Sequence, residues 1–246
     1  MMSKTSPLVR EISVVIPAYN EEKIIEDSIR TLIAHMDGLH LDKYEVVISE
    51  NGSTDRTLDL AKKFATGNLK VISSAKRGFG NAIRKGVAEA SMENIVVYPL
   101  DLCYDIHFIE KSMEQLDKYP VVFGVRYKEG CTNDRPAFRL FISKMHTRLV
   151  NFLFSAKFND VDCLKAYKAY VGKKMVANTN ANDAFIEVEI SMMVKNGSIP
   201  YAEIATSHVE KEAARHPSYF FKMIARGTVS LFTNYSRLKA LKVECS

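Results

Sequence analysis

The hydrophobic positions in the first hundred residues fall into short unbroken runs separated by amphipathic stretches. EISVVIPAY (11–19), YEVVIS (44–49), LKVIS (69–73) and NIVVYPL (94–100) are rich in β-branched residues and read as strands. Their apolar residues do not alternate with polar ones, which predicts burial on both faces, as in a parallel sheet covered by helices. Between the first two runs, Ile24, Ile25, Ile29, Leu32, Ile33 and Met36 recur at helical spacing. Asn20 is expected to cap that helix, and Glu21 and Glu22 to acidify its first turn. Further helices are expected from about Thr54 to Ala65 and over RGFGNAIRKGVAEA (77–90). Such strand–helix alternation puts ligand sites in the loops at the strands' carboxyl ends.

After Asp105 the pattern predicts a helix (107–117), a strand VVFGVRY (121–127) and a loop GCTNDRP (130–136). A helix over 138–154 carries apolar residues on most of its faces. A short strand (163–170), a helix (183–197) closed by Gly197, and a late strand (199–209) follow. From Tyr219 to Val243 no acidic residue occurs. Lys222, Arg226 and Arg237 share one face of a helical wheel, opposite Phe220, Ile224, Leu231, Tyr235 and Leu238. This fits a helix lying in a bilayer interface and equally one docked on the sheet or on a partner subunit. The expected organisation is a main α/β domain (1–215) and a C-terminal amphipathic helical segment (216–246), with no internal repeat.

The chain has 246 residues, with Lys+Arg 34 against Asp+Glu 29 and a formal charge of +5. That mild excess suits a phosphate-bearing ligand or an anionic membrane surface. No stretch concentrates it enough to predict a nucleic-acid partner. Cys103, Cys131, Cys163 and Cys245 lie far apart without a CxxC pair, so free thiols in a reducing compartment are expected rather than disulfides or zinc. The opening MMSKTSPLVR lacks the apolar core of a signal peptide, and no run of eighteen apolar residues predicts a membrane span. A cytoplasmic protein, soluble or peripheral on the cytoplasmic membrane face, is the expectation.

Three loops carry candidate chemistry. In ENGSTD (50–55), Gly52 permits a tight turn and Ser53, Thr54 and Asp55 can cap the next helix, while Glu50 is placed to accept hydrogen bonds from a ligand. Tyr19, in the neighbouring loop, offers a ring face to a base. RGFGNAIRKG (77–86) superficially matches a dinucleotide fingerprint. It follows the third strand rather than the first, however, and Ile83 stands where the third glycine belongs. Its small residues still let backbone N–H groups approach an anionic or polar ligand, with Lys76, Arg77 and Arg84 adding charge nearby. In YPLDLCYD (98–105), Asp101 is placed to hold Mg²⁺ or Mn²⁺ that neutralises a diphosphate leaving group, and Asp105 to cap a helix. His35, His40 and His107 read as ordinary surface histidines.

The succession VVIPAYNEE, SENGSTD, RGFGNAIRKG, YPLDLCYD, FGVRY and DVDCLKAYK resembles the family 2 glycosyltransferases. Within them it is most similar to the dolichyl-phosphate (polyprenyl-phosphate) mannose and glucose synthases, over about residues 11 to 210. Each motif is weak alone, but all of them in order and at this spacing are specific. The resemblance implies a GT-A type nucleotide-sugar-binding α/β fold, a divalent metal and inversion at the anomeric carbon. Motif by motif it implies that Pro17, Ala18, Tyr19 and Glu21 line the base and ribose pocket beside Glu50, Gly52 and Ser53. Lys76, Gly78, Gly80 and Asn81 would shape the donor site, and Asp101, with Cys103 two residues on, would meet the metal. Arg126, Arg139 and Lys144 would hold the acceptor phosphate, Arg126 and Arg139 as catalytic positioners.

The family's Asp-Ala-Asp is Pro99-Leu100-Asp101 here, its Asp-Asp-Gly-Ser is Glu50-Asn51-Gly52-Ser53, and its Cys-Gly-Phe-Lys is shortened to Cys163-Leu164-Lys165. Glu187 and Glu189 match a family pattern and are expected to pack or pair, and His208 and Arg215 to sit in a late loop over the donor. The implied reaction moves a hexose from GDP-mannose or UDP-glucose to dolichyl or polyprenyl phosphate. Two alternatives stay open: a family 2 transferase acting on a glycan hydroxyl, and a catalytically impaired nucleotide-sugar-binding protein.

Overall fold

The structure is a computed structural model that describes residues 10–209 and 226–243. The apolar runs become β1 (Glu11–Ala18), β2 (Lys43–Glu50), β3 (Leu69–Ser73) and β4 (Asn94–Val97), separated by α1 (Ile25–Gly38), α2 (Thr57–Lys62) and α3 (Phe79–Glu89). There follow α4 (Phe108–Leu116), β5 (Val121–Val125), α5 (Ala137–Phe154), β6 (Leu164–Lys168), α6 (Ala169–Ala177), α7 (Ile186–Asn196) and β7 (Tyr201–Ala205). Helical residues 226–233 (α8) and α9 (Tyr235–Ala240) close the described chain.

One seven-stranded sheet in the order β3-β2-β1-β4-β6-β5-β7 organises the fold. All pairings are parallel except those of β6, which runs antiparallel to both β4 and β5. The unalternating strands are explained by two cores. Ile12, Val14, Ile16, Val46 and Ile48 face α1, α2 and α4 on one side. Val15 and Val47 face α3, α6 and α7 on the other. The register levels the carboxyl ends, pairing Ala18 with Glu50 and Glu50 with Ser73, so the loops that follow emerge side by side.

Several boundaries differ from the expectation. β4 stops at Val97: Tyr98 still donates to Val15 O at 2.9 Å, but Pro99 has no N–H to continue the ladder and the chain turns. The expected strand 163–170 is cut at Lys168 by α6, which the pattern did not predict. Gly172 lets that helix press onto the Tyr167 side chain, whose Cβ an added Cβ would meet at 2.9 Å and whose ring it would meet at 3.1 Å. Asn20 does not cap α1, whose N-cap is Ile24 and which starts at Ile25; it adopts φ 54° in the preceding loop. Gly197 ends α7 with φ −79°, so its need for glycine is close approach, since a Cβ would stand 2.6 Å from Val243 O; the left-handed residue is Ser198.

The C-terminal segment is two helices in its described part rather than one. Leu231, Leu238 and Val243 are buried in the core that contains α7. Tyr235 stacks on Phe154 at 5.3 Å, Arg237 pairs with buried Glu189, and Asn196 Nδ2 donates to Leu238 O and Leu241 O at 2.8 Å each. Docking on the body of the protein therefore accounts for the apolar side of these residues. Phe220, Lys222, Ile224, Arg215 and the expected boundary at 215/216 lie outside the described residues. Among the described residues no helix is long and apolar enough to cross a membrane, and Cys103, Cys131 and Cys163 are free thiols.

Candidate active site

The loops after β1 and β2 are bound to each other. Asn20 Oδ1 accepts from Thr54 N at 2.8 Å, and Ser53 Oγ accepts from Asn20 N at 3.1 Å. Glu21 N donates to Thr57 Oγ1 at 2.7 Å and Glu22 N to Asp55 Oδ2 at 3.2 Å. Here is the reason Asn20 leaves α1 uncapped: its amide serves the second loop. Buried Glu50 accepts from Ser53 N and, at 2.5 Å, from Ser73 Oγ. Its carboxylate thus braces the ends of β2 and β3. Gly52, at φ 71°, makes the tight turn, and a Cβ there would meet Ala75 O at 3.1 Å.

At the start of α3 the glycines serve close packing. A Cβ on Gly80 would fall 2.2 Å from Ala181 O, and one on Gly78 2.7 Å from Asn182 O. Two amides are spoken for: Gly78 N donates to Asn51 Oδ1 at 2.8 Å and Gly80 N to Asn182 O at 2.9 Å. Asn81 Nδ2 donates to Ser74 Oγ at 3.1 Å and Lys76 O at 2.9 Å, fixing the loop that carries exposed Lys76. The ring face expected to meet a base is covered in this structure, since the Arg77 guanidinium lies 4.2 Å from the Tyr19 centroid.

Asp101 occupies the turn that Pro99 forces beyond β4. It is partly buried, and its Oδ1 accepts from Cys103 N at 3.1 Å. Leu102, between them, sits at φ 48°, a left-handed conformation costly for leucine and held here by burial of its side chain. Burial first, then the charge of Asp101, push the Cys103 thiol up, so it stays a neutral thiol. Asp105 is not the cap of α4, whose N-cap is His107; it stands two residues earlier, accepting from His107 N at 3.1 Å and pairing with Lys111. Mg²⁺ and Mn²⁺ are commonly held by one or two carboxylates plus phosphate oxygens of the ligand, and Asp101 alone fits that pattern. A protonated thiol does not suit either ion, so the donor set at this turn rests on Asp101 rather than on Cys103.

Beside this turn lies a cationic cluster. Arg126, at the end of β5, donates Nε to Asp160 Oδ2 at 2.7 Å and NH2 to Asp160 Oδ1 at 2.8 Å. Arg135 NH2 donates to Tyr127 OH at 2.9 Å, and Lys144 Nζ stands 5.1 Å from the Tyr127 ring centroid. His208 bridges the two groups: its ring meets Tyr104 edge to face at 4.9 Å, and its backbone pairs with Thr132 O and Asp134 N. Burial, then Arg135, Arg126 and Arg139, push its imidazole down to about 4. Arg139 lies on the first turn of α5 within reach of that field.

Asp160, Asp162 and Lys165 of the DVDCLKAYK motif, to which the sequence alone assigns no role, each have a defined partner in the structure. Asp160 is the counter-ion of Arg126, and Asp162 pairs with His146 at 2.9 Å, which holds that carboxyl low against burial. Lys165 is 1% exposed and bonded to Glu187 and to Val161 O, its ammonium kept charged by Glu187 against burial. Glu187 and Glu189 thus pair, as expected. The signal was the acid-x-acid spacing before β6, facing a strand that ends in arginine.

A mostly parallel sheet with ordered loops at its carboxyl ends and a carboxylate just past the fourth strand defines a GT-A type nucleotide-sugar-binding fold. The model of glycosyl transferase family 2 matches residues 13–175, more than half of the chain, and the chain belongs to that family. The human dolichyl-phosphate beta-glucosyltransferase is 26% identical over 225 residues, covering 84% of this chain and 69% of that protein. The Pyrococcus furiosus dolichol-phosphate mannosyltransferase is 28% identical over 190 residues, covering 75% of this chain and 53% of that one. Glycosyltransferase AglD of Haloferax volcanii is 26% identical over 200 residues, which is 78% of this chain but only 32% of AglD. The chain therefore spans about a third to two-thirds of these relatives' length. Among solved structures, glucosyl-3-phosphoglycerate synthase of Mycobacterium tuberculosis with Mg²⁺ and UDP superposes with a TM-score of 0.67 at 18% identity. That match covers 91% of this chain and 79% of that one and supports the fold.

Proposed function

We propose that this chain transfers a hexose, with inversion, from a nucleotide sugar to a polyprenyl or dolichyl phosphate at a membrane surface. The observation that carries the reading is the co-occurrence of Asp101 at the turn after β4, the cations Arg126, Arg135, Arg139 and Lys144 gathered about Tyr127 and His208, and an exposed apolar stripe on α5. At 100° per residue, Phe138, Phe141, Met145 and Phe152 of α5 fall within about 60° of one another. All four are exposed, Phe141 at 63% and Phe152 at 82%. Arg139, Lys144 and Arg148 flank them, the pattern of a helix lying in a bilayer interface. A lipid phosphate would thereby reach the level of Arg139 and Lys144.

The donor would lie along the ends of β1, β2 and β3, against Pro17, Ala18, Tyr19 and Glu21, with Gly52, Ser53 and the loop fixed by Asn81 beneath. Mg²⁺ or Mn²⁺ held by Asp101 would neutralise charge on the departing nucleoside diphosphate. The acceptor is already an anion at neutral pH, so no general base is required. An acceptor oxygen forms the new bond to C1 as the bond from C1 to the donor diphosphate breaks, its electron pair leaving with the diphosphate. Arg139 and Lys144 orient that acceptor, while Arg126, locked to Asp160, fixes the floor on which they act.

A panel of GDP- and UDP-sugars with polyprenyl phosphate and Mn²⁺ tests the reading. Labelled sugar moving into the chloroform phase supports it. Donor binding by calorimetry with no product on any lipid phosphate overturns it in favour of a binding protein, a reading that Pro99 in place of an acidic residue motivates.

A further inference from the structure

His35 and His107 are not isolated surface histidines, because both converge on Glu110 where α1 meets the first turn of α4. Glu110 offers one carboxylate oxygen to each ring: Oε2 lies 3.1 Å from His35 Nε2, and Oε1 2.5 Å from His107 Nδ1. The rings meet edge to face at 5.4 Å. The three ligand atoms all fall within 4.8 Å of one another, the one such trio among the described residues. His35 and Glu110 side chains are 15% and 26% exposed, whereas His107 is 61% exposed and leaves one side open.

We infer that His35, His107 and Glu110 form a second metal site, distinct from Asp101, which takes a borderline transition dication such as Zn²⁺ with water as fourth ligand. Two imidazoles and one carboxylate favour Zn²⁺ over Mg²⁺ or Mn²⁺, which prefer oxygen ligands. A tetrahedral ion with arms of about 2.1 Å sets its ligand atoms about 3.4 Å apart. The His35–Glu110 edge is close to that already, and exposed His107 has room to move outward. Bound there, the ion would clamp α1 to the segment that starts at Asp101. It would also border a cleft of about 510 Å³ lined by Thr31, one turn before His35, and by Asp105 and Ile106. The inference does not depend on the transferase reading.

Titration of the metal-free full chain with Zn²⁺ alone at pH 7.5, read by calorimetry and by thermal melting, tests it. Wild type and Asp101→Asn should each bind one Zn²⁺ with micromolar affinity and melt at higher temperature when loaded. His107→Ala, at the most exposed ligand, and Glu110→Gln should each weaken binding at least tenfold and lose the Zn²⁺-dependent melting shift while keeping the metal-free one. Co²⁺ should give the visible spectrum of a tetrahedral site in wild type and not in His107→Ala. Zn²⁺ affinity unchanged in both ligand variants, or lost in Asp101→Asn alone, overturns the assignment.

Discussion

Arg126 and Asp160 form a two-pronged ion pair sealed from solvent, the arginine 6% and the aspartate 0% exposed, between the end of β5 and the loop before β6. Asp160 raises the Arg126 pKa further despite burial, so the guanidinium stays charged. Removing one partner strands the other. Asp160→Ala is expected to cost about 3–5 kcal/mol of stability in urea unfolding. A loss under 1 kcal/mol would show that the pair is dispensable to the fold.

Asp101→Asn keeps the side chain's size and its acceptor for Cys103 N while removing the charge. Transfer to lipid phosphate should fall about a hundredfold or more, with an unchanged melting curve. Full turnover in this variant would remove Asp101 from the chemistry.

The depressed His208 ring makes the fold acid-sensitive. Unfolded, the imidazole titrates near about 6.5; folded, it is down at about 4. As pH falls between these values the unfolded chain takes up the proton first, so the His208 contribution is complete above about 6.5 and is lost on the way to 4. Denaturation midpoints across this range should decline with acid, and His208→Gln should flatten the decline. An equal slope in both proteins would mean that other groups set it.

Phe141→Asp combined with Phe152→Asp removes two exposed side chains and no core contact. Flotation with anionic vesicles should drop, with the melting temperature held. By contrast Leu231→Asp, at a fully buried position, should unfold the protein before it affects lipid binding.

Gly80→Ala would press a methyl against Ala181 O at 2.2 Å. The expected cost is about 1–3 kcal/mol, with weaker donor binding because the α3 start and the 181–182 turn must separate. Donor affinity equal to wild type would show that this contact is not part of the donor platform.

The sheet was legible because β1, β2 and β4 are short unbroken apolar runs rich in β-branched residues, too short for helices of the same burial. Strand ends were less so: Pro99 announced the end of β4 only once Tyr98 was seen making the last ladder bond. α6 was hidden because Gly172 depresses helix propensity, and only its contact with Tyr167 explains it. Asp101 lies where its position implied, at the turn after the fourth strand, whereas the bracing bonds made by Asn20, Glu50 and Arg126 were not legible. Their partners, Thr54, Ser73 and Asp160, lie more than twenty residues away, beyond the reach of local pattern. The meeting of His35 with His107 and Glu110 is hidden for the same reason.

The seating of Leu231, Leu238 and Val243 against α7 has a practical corollary. A version shortened to end soon after β7 would open a trench along that helix and strip Glu189 of its arginine. Any minimal version of this enzyme fold must carry its tail as far as Val243.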